Sequence, residues 1–147
     1  MDVLLRLVDP TVLPTLPRKH QMFTFGSPTL AVVGPQAMML RWLKIFLTPS
    51  GSHPLRREEG TGFFALLRSG NGRIDRLQSI LGQEVEAAAE QVRQLDQRDL
   101  SRPANERLRS ATISQFVEIP PASAEFWVQL ATMNGETIDV LLPYASG

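Results

Sequence analysis

The sequence predicts an α+β domain, in which a hairpin is followed by helices and then by an antiparallel meander. A long apolar stripe of near-heptad spacing in the middle of the chain predicts a long helix. Alternating apolar and polar residues on both sides of Asn134-Gly135 predict a C-terminal strand pair. Three closely spaced prolines near the N-terminus predict an extended arm ahead of the domain.

Composition indicates a soluble globular protein that makes local contacts. The chain has 147 residues, 43% of them hydrophobic, and 15 basic residues balance 15 acidic ones. Zero net charge offers no long-range field for nucleic acid or an anionic membrane, so neither is expected as a partner. Cysteine is absent, which excludes disulfides and a thiol nucleophile. We expect no signal peptide and no membrane helix, which needs about 20 apolar residues.

Two regions are predicted, an arm over residues 1–20 and a single α+β domain over residues 21–147. Pro10, Pro14 and Pro17 make the arm extended, and its many leucines and valines must be covered. The arm therefore packs either on its own domain or on a partner. Residues 22–33 resemble a hairpin turning at Gly26-Ser27-Pro28.

Three helices follow. The first begins near Pro35 and stops at residues 48–51, and residues 63–67 form a short apolar helical turn. The third covers roughly residues 73–98, with Asn71 as a candidate cap and an alanine run that allows close approach of another element. The apolar stripe of the first helix is Met38, Met39, Trp42, Leu43, Phe46 and Leu47, and that of the third is Ile74, Leu77, Leu81, Val85, Ala88, Val92 and Leu95.

The last third of the chain is predicted to be β-structure. Residues 111–119, 126–132 and 137–142 are the strand candidates, with a break at Pro120-Pro121. Asn134-Gly135 predicts a hairpin, because both central residues tolerate positive φ. Ile138, Val140 and Leu142 should share the buried face of the last strand.

Nothing in the sequence predicts catalysis, a cofactor or a metal site. His20 and His53 lie in proline-flanked loops without metal-ligand spacing. Glu58 and Glu59 are neighbours in one loop, whereas glycoside hydrolysis needs two carboxyls at a defined separation across a cleft. We therefore expect a protein that is not an enzyme, and a small glycan hydrolase using this loop is the least favoured alternative.

Three stretches, in order, resemble the small baseplate wedge protein family of contractile phage tails, which initiates the sheath. The first is LRWLKIFLTPSGS at residues 40–52, a helix with the family's Leu-Thr-Pro stop. The second is PLRREEGT at residues 54–61, with Glu59 where the family commonly has an aromatic residue. The third is Asn105-Glu106-Arg107-Leu108, which is similar to the family's Glu-Pro-Arg-Leu signature without its proline. The same family occurs in R-type bacteriocins and type VI secretion baseplates.

The resemblance implies a structural role in a virion, in a tail baseplate assembled in the cytoplasm of a host bacterium. It implies a meander similar to the C-terminal domain of the sheath protein, whose edges accept strands from the first sheath ring. Residues 126–132 and 137–142 are then the candidate edges. The larger wedge proteins and the sheath protein are the expected partners, with tube or hub proteins reached through the arm.

By the same resemblance, Glu106 and Arg107 should form charge-assisted hydrogen bonds that hold the signature turn and its partners. The expected partner interface consists of Glu106, Arg107, Phe126, Trp127, Asn134, Gly135, Ile138 and Val140. The other reading of the same signals is a stand-alone α+β adaptor that binds another protein. For Glu106 and Arg107 the alternative is that they form an exposed pair of charges in a turn, which contributes little to the stability of the protein.

Overall fold

The protein is described from a computed structural model that covers residues 4–7, 21–24, 32–69, 74–120 and 123–145. The chain divides into two compact units, residues 1–32 and residues 33–147. The boundary lies at Val33, later than the expected division between residues 20 and 21. Each unit is described by itself.

The first unit contains two short strands. Strand β1, Leu4–Leu7, pairs antiparallel with β2, Gln21–Thr24, so that Leu4 lies opposite Thr24. A strand thus occupies part of the segment that was expected to be an extended arm. The predicted turn at Gly26-Ser27-Pro28 lies outside the described residues.

The second unit begins with helix α1, Pro35–Phe46, as the proline-led start predicts. Its buried side chains are Met38, Met39, Trp42, Leu43, Ile45 and Phe46. The predicted stripe is confirmed except at its end, where Ile45 is buried and Leu47 is exposed. The reason is that the helix ends at Phe46, so Leu47 no longer follows the helical period.

A closed loop connects α1 to helix α2, Phe63–Ser69. The ends of this loop meet, because the Thr61 N–H donates to the Thr48 carbonyl at 2.9 Å and the Ser50 N–H donates to the Thr61 carbonyl at 3.0 Å. Gly60 has φ +111°, and a Cβ there would lie 2.4 Å from the Thr48 carbonyl oxygen. Only glycine therefore allows the two backbone segments to approach this closely.

Helix α3, Ile74–Arg98, matches the predicted long helix. Its buried face consists of Leu77, Leu81, Val85, Ala88, Ala89, Val92 and Asp96. The Gln91 side chain both donates to and accepts from the backbone of Gly60, at 2.8 and 2.9 Å, and the Glu84 carboxylate accepts the Gly62 N–H at 2.6 Å. The polar residues beside the stripe thus fasten the loop to the helix. The predicted Asn71 cap lies outside the described residues.

The C-terminal sheet is antiparallel with strand order β3-β4-β5. Strand β3 is Leu108–Ile119, β4 is Ser123–Thr132 and β5 is Thr137–Ala145. All three predicted strands are confirmed, each longer than expected. The α+β class is confirmed as well, with three helices followed by the meander.

The core lies between α1, α2, α3 and one face of the sheet. Trp42 stacks on Phe46 with ring centroids 4.8 Å apart, Phe46 lies 4.7 Å from Phe63, and Phe63 lies 6.2 Å from Phe126 of β4. Burying aromatic rings of this size in contact with one another is a large contribution to the stability of the core. Within the described parts of the chain, no helix is long and apolar enough to cross a membrane.

Candidate partner-binding site

The signature segment folds as a short 3₁₀ turn, Ala104–Glu106, that leads directly into β3. The Glu106 N–H donates to the Pro103 carbonyl at 3.0 Å, and the Glu106 carboxylate accepts the Gly34 N–H at 3.1 Å. The guanidinium of Arg41 donates to the backbone carbonyl of Glu106. Glu106 therefore joins the start of α1 to the start of the sheet.

Asp96, at the end of α3, is the centre of the charges behind this turn. Its side chain is 5% exposed, and one oxygen accepts the Leu108 N–H at 2.9 Å. The other oxygen lies 2.8 Å from Arg102 Nη1 and 3.6 Å from Arg41 Nη2. One buried carboxylate thus fixes the first residue of β3 and holds two arginines that come from different elements.

Neighbouring groups have opposing effects on the pKa of Arg41. Burial lowers the pKa of its guanidinium and the charge of Arg102 lowers it further, whereas Asp96, Glu106 and Asp99 raise it. Arginine stays charged at physiological pH even when its pKa is lowered, so the partly buried guanidinium remains a cation that these carboxylates stabilise.

Arg107 contributes through its backbone. Its carbonyl accepts the Met133 N–H at 3.0 Å, which joins the signature turn to the hairpin between β4 and β5. Its Nε atom is buried and has no hydrogen-bond partner among the described residues. The expected charge-assisted bond is therefore seen for Glu106, and the arginine that reaches Glu106 is Arg41 and not Arg107.

The hairpin forms where Asn134-Gly135 predicts it, but with a different turn. Gly135 has φ +92°, whereas Asn134 does not take positive φ. The Gly135 N–H donates to the Thr132 carbonyl at 3.1 Å, and the Thr132 N–H donates to the Glu136 carbonyl at 2.8 Å. This pattern is a three-residue loop closed by a glycine bulge. The predicted hairpin is confirmed, and of the two residues that tolerate positive φ only Gly135 takes it, because the loop has three residues.

One of the two candidate edges is not an edge. Strand β4 pairs with β3 on one side and with β5 on the other, so residues 126–132 offer no free main-chain groups. Phe126 is fully buried and Val140 is 3% exposed, so both are core residues, and Ile138 on the same face is half-buried. Trp127 points to the opposite face and is half-buried.

Among the strands that the structure describes, β5 pairs only with β4, so it is the candidate edge that stays open. Along an antiparallel pair of strands, residues directly opposite each other are hydrogen-bonded at every second position. Thr132 and Glu136 form one hydrogen-bonded pair, which determines which residues of β5 direct their backbone groups towards β4 and which direct them away. Thr137, Asp139 and Leu141 then direct their backbone groups away from β4. Pro143 follows in the same phase and has no N–H to offer. Three consecutive outward donors and the carbonyls beside them are what an added strand needs.

His53, Glu58 and Glu59, the described residues that were considered for catalysis, lie in the loop between α1 and α2. The His53 ring nitrogen Nδ1 accepts the Leu55 N–H at 3.3 Å, and Glu59 pairs with Arg56 at 3.3 Å. Glu58 is exposed, and His20 lies outside the described residues. Among the residues that the structure describes, no group of three or more His, Asp or Glu side chains could hold a metal ion.

Arg41, Asp96 and Arg102 were not among the residues predicted for the site. A signal existed for Asp96, since it follows Val92 by four residues and therefore continues the apolar stripe of α3. A carboxylate at a stripe position indicates a buried acid with partners. No such signal exists for Arg41 or Arg102, whose roles depend on how α1 and the end of α3 pack together.

Neither a family model nor a curated protein matches this sequence.

Proposed function

We propose that this protein is a structural component of a contractile tail baseplate, which joins the helical bundle of the wedge and templates the first sheath ring by strand addition. The observation that carries the proposal is the open edge of β5, a regular nine-residue strand with outward backbone donors at Thr137, Asp139 and Leu141. The ordered resemblance of residues 40–52, 54–61 and 105–108 to the baseplate family supports the choice of partner.

The surroundings of the edge support this role. Long open edges are otherwise an aggregation hazard, and Pro143 limits pairing beyond Leu141. The hairpin at one end of β5 is fixed to the signature turn through Met133 and Arg107, and that turn is fixed to α1 and α3 through Glu106 and Asp96. An edge held in this way is preorganised, so less conformational entropy is lost when a strand binds.

The experiment replaces one outward donor on each edge of the sheet. Asp139→Pro removes a donor from the β5 edge, and Glu118→Pro, in the outward phase of β3, removes one from the opposite edge. Both proteins should remain folded by circular dichroism, because neither loses a bond within the sheet. Each is supplied to a strain in which the gene has been deleted, and the particles are viewed by electron microscopy.

Asp139→Pro should abolish sheathed particles, and Glu118→Pro should leave them. Sheathed, contractile particles from the Asp139→Pro strain would remove β5 as the template. A deletion strain that still makes complete particles, or a gene with no tail genes near it, would remove the baseplate function and favour a stand-alone adaptor.

A further inference from the structure

The face of the sheet turned away from the helices carries a contiguous apolar patch. The strand register places Gln115, Trp127 and Leu141 in one row across the sheet. The next row contains Val117, Glu125 and Pro143, and the one after it begins with Ile119 opposite Ser123. We define the outer patch as Val117, Ile119, Trp127, Leu141 and Pro143.

Four of the five residues of the outer patch are exposed. Val117 and Ile119 are each 41% exposed, and Leu141 is 43% exposed. The side chains of these three rows are neighbours across the strands, so the exposed residues form one surface. Single exposed apolar residues are normal, whereas adjacent ones on one face mark an interaction surface. Trp127 at its centre, half-buried among its neighbours, is the residue type most enriched at the energetic centres of interfaces.

The negative charges around the outer patch indicate which kind of partner it binds. The rows that contain the patch, together with the adjacent row Thr112, Gln129 and Asp139, include Glu125 and Asp139 and no lysine or arginine. A second copy of the same face would bring these carboxylates together, which is unfavourable. A segment with apolar side chains and basic residues would instead complement both the patch and its charge.

We propose that the outer patch binds a partner segment in which apolar side chains are interleaved with lysine or arginine. The apolar side chains cover Trp127 and its neighbours, and the basic residues pair with Glu125 and Asp139. This surface lies on the face of the sheet, whereas the proposed function uses the main chain at the edge of β5. Asp139→Pro removes an edge donor and a carboxylate beside the patch together, so the two proposals are separated by the Val117 crosslink and by Glu125→Lys, which leave the β5 edge in place.

The test crosslinks the patch in the organism that carries the gene. The photoreactive amino acid p-benzoylphenylalanine replaces Val117, which lies on β3 and so away from the β5 edge. The matched control places it at Leu100, which is 79% exposed after α3. The crosslinked peptides are then sequenced by mass spectrometry.

The Val117 position should capture one segment that contains apolar residues and at least two lysines or arginines, and the Leu100 position should not capture it. Failure to crosslink, capture of a second copy of this chain, capture of an acidic segment, or the same capture at both positions would overturn the proposal.

A charge reversal gives the second measurement. Glu125→Lys leaves every backbone group of the sheet in place, and Glu58→Lys reverses an exposed carboxylate in the loop before α2. Glu125→Lys should lower the yield of the Val117 crosslink about tenfold, because a favourable charge contact becomes a repulsive one. Glu58→Lys should not change it. An unchanged yield with Glu125→Lys, while that protein melts like the wild type, would overturn the proposal as well.

Discussion

Asp96 shows how one side chain can hold the 3₁₀ turn and the start of β3 in place. It lies where the apolar stripe of α3 would continue, and its two oxygens meet Arg102 and the first N–H of β3. A buried carboxylate is stabilising only while these partners remain. The stability of the turn and of β3 should therefore depend on this residue more than on any exposed charge.

Asp96→Ala should lower the free energy of unfolding by about 3 kcal/mol, since it leaves the Leu108 N–H without its acceptor and removes the carboxylate that Arg41 and Arg102 share. The value is at the lower end for a buried ion pair because the arginines are about a quarter exposed. Urea denaturation followed by circular dichroism measures it. Glu58→Gln, which changes an exposed carboxylate, should stay within about 0.5 kcal/mol of the wild type. Equal effects of the two changes would contradict the role of Asp96.

Gly60 and Gly51 provide a matched pair, because both take positive φ and only Gly60 is in close contact with another backbone segment. Gly51→Ala should cost about 1 kcal/mol, the ordinary cost of positive φ for an L-residue. Gly60→Ala adds a clash with the Thr48 carbonyl and should cost at least about 2 kcal/mol more. Thermal melts of the two variants compare them directly, and similar melting temperatures would show that the loop does not close as described.

Arg93 and Glu90 on the exposed side of α3 give a prediction about pH. Hydrogen bonds from Arg93 and then Gln94 hold the pKa of Glu90 below its ordinary value. A carboxylate whose pKa is lowered on folding stabilises the fold above its unfolded pKa, and this stabilisation is lost as pH falls through the folded pKa. Arg93→Gln should therefore raise the pKa of Glu90, as NMR titration of the carboxyl carbon would show. The stabilities of the variant and the wild type should differ at pH 7 and converge in acid, and a constant difference would contradict the assignment.

At the scale of the elements, periodicity predicted the secondary structure well. The stripes of α1 and α3 and the alternation in β5 each depend on residues within one element, so the sequence alone shows them. Asn134-Gly135 located the turn between β4 and β5, whereas the pairing of Thr132 with Glu136, which sets the loop length, depends on both strands. Residues 126–132 were wrongly named as an edge, because a three-stranded meander places its second strand between the other two.

Helix α3 can be made more stable without disturbing the site. Gly82 lies in the interior of the helix, and a Cβ there would meet no atom within 4 Å. Gly82→Ala should stabilise the protein by up to about 1 kcal/mol, because alanine loses less backbone entropy than glycine in a helix. Urea denaturation would show this as a higher midpoint with an unchanged slope. A lower midpoint would mean that this surface of α3 is packed more tightly than the structure shows.

At the scale of the whole molecule, the candidate site combines predictable and unpredictable parts. The sequence indicated Glu106, Arg107 and the Asn134-Gly135 hairpin separately, and the structure brings the turn and the hairpin together through Arg107 and Met133. The position of Asp96 in the stripe of α3 indicated a buried acid, but its partners and the role of Arg41 could not be predicted, because these contacts join α1, α3 and β3, which are far apart in the sequence. The buried positions of Phe126 and Val140 likewise follow from the packing of the sheet on the helices.

The central claim is that the edge of β5 receives a strand of the sheath protein. A cryo-electron-microscopy map of the assembled baseplate tests it most directly, since main-chain pairing is visible without any substitution. We expect the map to show a strand of the sheath protein antiparallel or parallel to β5, hydrogen-bonded to the backbone of Asp139 and Leu141. A baseplate in which this edge faces solvent, or one that does not contain this protein, would contradict it.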